Sequence, residues 1–115
     1  MRDRILGAEA ESPEEVKMAV LMQMDLPVSR EDVEALSATM RTHENPPTGL
    51  IAHAVTQTTN GIHVVDIWDS KEAFEKFNAD RLTPAMQQTI AERKITLDGP
   101  PQQTFDEAFD VVRGR

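Results

Sequence analysis

Apolar residues recur along this chain at two spacings, one suited to strands and one to helices. MAVLMQMD (18–25) is a dense apolar run that stops at Leu26-Pro27, where the missing proline N–H ends a ladder, and it predicts a first strand. Ser29 stands three residues before Asp32 and ahead of Val33, Leu36 and Met40, which is the N-cap and spacing of an amphipathic helix over about 29–42. Pro46-Pro47 and Gly49 make the segment THENPPTG a loop. LIAHAVTQ (50–57) and IHVVDIWD (62–69) read as strands around TTNG, whose Asn60-Gly61 tolerates positive φ and marks an antiparallel hairpin.

Ser70, with Glu72 in the first turn, caps a second helix carrying Ala73, Phe74 and Phe77. Thr83-Pro84 restarts the helical pattern through about Arg93, and Pro84 is expected to kink or break it. Beyond the loop Asp98-Gly99-Pro100-Pro101, the residues QTFDEAFDVV place Phe105, Glu107, Phe109 and Val111 at period two and predict a last strand; Phe105, Ala108, Phe109 and Val112 also fit a helix. Residues 1–16, with the cluster EAESPEE, lack apolar periodicity and are expected to be a flexible, solvated extension, leaving 17–115 as one domain.

The order β-α-β-β-α-β is the split βαβ pattern: an α+β, ferredoxin-like domain with a four-stranded antiparallel sheet and both helices on one face. Alternation assigns each side chain to a face. Met18, Val20, Met22 and Met24 point one way on the first strand, opposite Ala19, Leu21, Gln23 and Asp25. On the hairpin, Ile51, His53, Val55, Val64, Asp66 and Trp68 share one face, and Leu50, Ala52, Ala54, His63, Val65 and Ile67 the other. Both faces are largely apolar, whereas a sheet with one wet face alternates apolar with polar. The helices cover one face, so a second copy is expected on the other, giving a homodimer closed into an α/β barrel.

Composition narrows the partners. A net charge of -8 argues against nucleic acid and anionic membranes, both of which call for a basic patch. The absence of cysteine removes disulfides, thiolate metal sites and cysteine nucleophiles. No apolar run is long enough to span a bilayer and the first residues lack the apolar core of a signal peptide, so a cytoplasmic protein is expected. GxGxxG, GxxxxGK[ST] and GxSxG are missing, and the acidic clusters lack EF-hand spacing. No metal site is expected from His43, His53 and His63, because His53 and His63 point to opposite faces and His43 lies at a helix end. Three of the six methionines share a face of the first strand, as core filling or as the lining of an adaptable pocket.

His53 is the sharpest candidate for chemistry. With a hairpin loop of Thr58 to Gly61 it stands opposite Asp66; with a two-residue Asn60-Gly61 loop it faces Trp68. The three share a face in either register. A carboxylate beside an imidazole sets its tautomer and raises its pKa, as a general base requires; a polar pair that only fixes strand register is the alternative. Trp68, the one tryptophan, combines a large apolar body with an N–H, which suits a pocket wall as well as a corner plugged against Phe74 or Phe77.

The stretch Asn60-Gly61-Ile62, Val64, Asp66, Trp68, Ser70, Glu72, Ala73 and Phe74 resembles the dimeric α/β-barrel superfamily, in particular the antibiotic biosynthesis monooxygenases and their uncharacterised relatives, over about residues 18–112. The resemblance implies a small-molecule pocket between sheet and helices, lined by the aromatic that ends the third strand, here Trp68. Phe74 and Phe77 join it as substrate-binding candidates, with His53 and Asp66 as catalytic candidates. Better-characterised relatives often carry a histidine on the second helix, nine residues after the aromatic, where this chain has Phe77. The implied activity is cofactor-independent monooxygenation of a flat, reduced aromatic substrate; a ligand-binding dimer without turnover and a purely structural module are the alternatives.

Overall fold

The computed structural model describes residues 18–114; the extension expected over 1–16 lies outside the described residues. The elements run β1 (Ala19–Leu26), α1 (Arg30–Met40), β2 (Leu50–Thr58), β3 (Gly61–Trp68), α2 (Lys71–Phe77), a π-helical turn (Asn78–Leu82), α3 (Thr83–Arg93) and β4 (Gln103–Ala108). The four strands form one sheet in the order β2-β3-β1-β4, and every neighbouring pair is antiparallel. This is the ferredoxin-like topology that the order of elements predicts.

Local chemistry places the helices. The Ser29 hydroxyl accepts from the Asp32 N–H and the Asp32 carboxylate accepts from the Ser29 N–H, each at 3.1 Å, a reciprocal cap that fixes the start of α1. Ser70 caps α2 by accepting from the Ala73 N–H at 3.1 Å. Arg93, at the end of α3, bonds Asp32 at 2.6 Å and ties the two helices together.

Three expectations need correction. Pro84 neither breaks nor ends the helix: a π turn precedes it, with the Thr83 N–H bonding the Asn78 carbonyl, so the helical path runs from α2 into α3 with proline in the first turn of α3. The chain pairs as a strand only to Ala108, and Phe109 and Val112 lie beyond it, 92% and 86% exposed. A register shift between Leu50 and Ala52 puts Leu50 across from Trp68, on Trp68's own face instead of the opposite one.

The core lies between the sheet and the helices. Val20, Met22, Met24 and Leu26 of β1 and Ile62, Val64 and Trp68 of β3 are buried there with Phe74 and Leu82. Gly61 is required where β3 begins: its φ is +153°, and a Cβ would collide with the Leu26 carbonyl oxygen. The far face presents Leu21, Val65, Ile67, Ala52 and Ala54, and none of these five is fully buried. No described helix is long and apolar enough to cross a membrane.

Candidate functional site

The hairpin turns on Thr59 and Asn60, because Thr58 still pairs with Gly61. That pairing sets His53 directly across from Asp66. His53 Nδ1 and Asp66 Oδ1 meet at 2.6 Å. A carboxylate can only accept, so Nδ1 carries the proton in this pair and the neutral ring has its lone pair on Nε2. Asp66 Oδ2 accepts from the indole N–H of Trp68 at 3.1 Å. The carboxylate is 6% exposed, and both of its oxygens are engaged by side chains that alternation brings to its own face.

The aromatic residues brace this cluster. Trp68 is 1% exposed and stands edge-on to Phe74, with centroids 5.6 Å apart, and tilted against Phe77 at 5.4 Å. The corner role and the wall role therefore coincide. A cavity of about 290 Å³ opens between sheet and helices, and all five candidates, His53, Asp66, Trp68, Phe74 and Phe77, line it. On the helix side α1 has no fully buried residue, and its Val33, Leu36 and Met40, partly buried against the core, border the open space.

The cavity has further lining, part of it the strand-face methionines that the sequence offers as core filling or pocket wall. Met22 and Met24 line the cavity, whereas Met18 of the same strand face is exposed. Leu50 reaches the cavity through the bulge, and Pro46, Pro47 and His43 close one end from the loop after α1. A polar-free strand face was the available signal for the methionines; no sequence feature announces the bulge.

His53 is at the boundary of this cavity. Its side chain is 41% exposed and also borders an open groove between α1 and β2 that contains Arg30, Glu34 and Glu44. The hydrogen bond that His53 donates to Asp66 raises the His53 pKa above the ordinary 6.5, and the carboxylate's charge adds to the shift, against the opposing effect of burial. His63 faces the other side of the sheet, where its ring nitrogens lie 2.7 Å from Asp25 and 3.1 Å from Gln23. Among the described residues no group of three or more His, Asp or Glu side chains is placed to hold a metal ion.

No protein-family model and no curated protein matches this chain. Solved structures do. A protein of unknown function from Nitrosomonas europaea superposes with a TM-score of 0.59 at 15% identity, covering 86% of this chain and 95% of its own. A protein assigned by name to the antibiotic biosynthesis monooxygenases, from Caulobacter crescentus CB15, gives 0.56 at 14% identity over 82% of this chain and 92% of its own. SnoaB, a cofactor-independent oxygenase from Streptomyces nogalater, gives 0.52 at 12% identity over 83% and 95%. At these identities the likeness is one of backbone architecture, and the resemblance to antibiotic biosynthesis monooxygenases holds at the level of the ferredoxin-like fold.

Proposed function

We propose that this chain is a small-molecule-binding protein of the monooxygenase-like barrel type, in which His53 removes a proton from an apolar aromatic ligand held against Trp68, Phe74 and Phe77. The observation that carries this reading is the 2.6 Å His53–Asp66 contact at the wall of a cavity lined mainly by apolar side chains. A base whose tautomer is set by a buried carboxylate and whose second nitrogen has no hydrogen-bond partner among the described residues is suited to abstract an acidic proton.

The chemistry that fits is the oxidation of a ring methylene flanked by aromatic rings. His53 Nε2 takes the proton, and the electron pair left behind on the ring carbon is passed to dioxygen. One oxygen atom ends in a new carbonyl and the other leaves as water, so the substrate itself supplies all four electrons and the reaction consumes one dioxygen per product. Apolar walls keep water from the carbanion. The test is oxygen uptake and quinone absorbance with a model anthrone. A one-to-one stoichiometry that collapses in His53→Ala is expected; a rate indifferent to His53→Ala overturns the catalytic role.

Binding without turnover is favoured by a specific feature of the same wall. The indole N–H, which could have stabilised a developing oxyanion, already serves Asp66, and no Lys or Arg is among the described residues lining the cavity. Ligand-dependent melting shifts without product would select this reading.

We also propose that the working unit is a homodimer joined through the far face of the sheet. Leu21, Val65 and Ile67 need cover there, and the polar end of that face is already satisfied, since His63 is paired with Asp25 and Gln23 of its own chain.

A further inference from the structure

The indole of Trp68 reaches back two residues along its own strand. Its N–H ends 3.1 Å from Asp66 Oδ2, while the other carboxylate oxygen lies 2.6 Å from His53 Nδ1. An aspartate carboxyl ordinarily turns through a broad, two-fold range about its last torsion. Here one oxygen is tethered by a ring that cannot itself turn, because Trp68 is enclosed by Phe74 and Phe77. The remaining oxygen is aimed across the ladder at a histidine that is 41% exposed.

We propose that Trp68 is a positioning residue for His53: its N–H locks the Asp66 carboxylate, which fixes the imidazole as the Nδ1–H tautomer and leaves Nε2 as the basic nitrogen at the cavity wall. The arrangement is a three-member relay built from consecutive same-face positions of β3 and one residue of β2. It gives the indole a role distinct from ligand contact, since its single donor is spent on the carboxylate. The bearing of this relay on turnover rests on the proposed base role of His53; its existence does not.

Because the chain has one tryptophan, its spectrum contains one indole N–H signal, which reads the relay directly. In the unaltered protein, nitrogen-15 NMR should show that signal moving with pH at the same midpoint as the His53 ring, and standing still in His53→Ala. In Trp68→Phe, which keeps an aromatic body but no donor, the His53 nitrogens should change from the Nδ1–H form to a mixture of both tautomers, with a shifted midpoint. His43, Arg30, Glu34 and Glu44 are the other charged or titratable groups bordering the spaces on either side of His53, and His43→Ala should leave both readouts unchanged.

An indole signal that stays flat through the His53 titration overturns the proposal, and so does a Trp68→Phe protein whose His53 tautomer and midpoint match the parent. Should Trp68→Phe not fold, the titration of the unaltered protein decides alone. Neither measurement uses a substrate. A relay that is present while anthrone turnover ignores His53→Ala therefore refutes the base role and not the relay.

Discussion

His53 and Asp66 are exact ladder partners on β2 and β3, and their side chains close to 2.6 Å with the carboxylate buried and the imidazole half open to solvent. The buried member sets the geometry, and the open member can exchange protons.

Removing the carboxylate should expose this division. In Asp66→Ala the indole N–H loses its acceptor in the interior, which costs about 1–3 kcal/mol of stability. The His53 midpoint should fall back toward the ordinary 6.5. Denaturant unfolding measures the first and proton NMR of the ring the second.

The pH dependence has a definite sign. His53 is raised in the folded state, so its pairing contributes fully below 6.5 and is lost as pH rises through the higher folded value. Turnover by a neutral base follows the opposite course, growing as pH passes that folded value. Asp32 behaves inversely: hydrogen bonding from Arg93 lowers it, so its contribution is present above 3.8 and disappears as pH falls through its lowered value. Melting temperatures across these two windows should separate His53→Gln from Asp32→Asn.

Phe74 is 2% exposed and contacts both Trp68 and, at 5.3 Å, Phe105 of β4. Truncation to alanine should cost about 3–5 kcal/mol in chemical denaturation. Phe77→Ala, at a half-buried position, should cost less and enlarge the cavity, weakening the binding of a flat ligand by calorimetry.

Gly61→Ala should destabilise by more than about 1 kcal/mol, because an alanine disfavours this φ as well as striking Leu26. The same denaturation experiment applies, with Gly99→Ala as a control, since a Cβ at Gly99 meets nothing within 4 Å.

If the far face is the dimer interface, a charge at Ile67 or Val65 should split the assembly. Light scattering is expected to give twice the chain mass for the parent and the single mass for Ile67→Glu, with helix and strand content retained.

Much of this molecule is legible before any coordinates. Alternation in MAVLMQMD and IHVVDIWD assigns β1 and β3 and their faces, Ser29 and Ser70 mark the helix starts, and the shared face of His53, Asp66 and Trp68 follows from period two. Two features that spacing misses, the bulge and the π turn, involve one residue more than regular geometry allows, and the third is where a ladder ends. The bulge at Ile51 leaves no trace in composition, because Leu50, Ile51 and Ala52 suit either face. The π turn before Pro84 is a backbone accommodation that spacing alone reads as a break. Phe109 and Val112 keep the strand's alternation after the ladder has ended, since pairing depends on where β1 begins.

Since Trp68 is the one indole in a chain without tyrosine and borders the cavity, the protein has a built-in optical gauge. A molecule entering that space changes the surroundings of the fluorophore, so emission colour and intensity report occupancy with no label attached. Screening a compound collection by this glow would rank candidate ligands before a single assay for chemistry is devised.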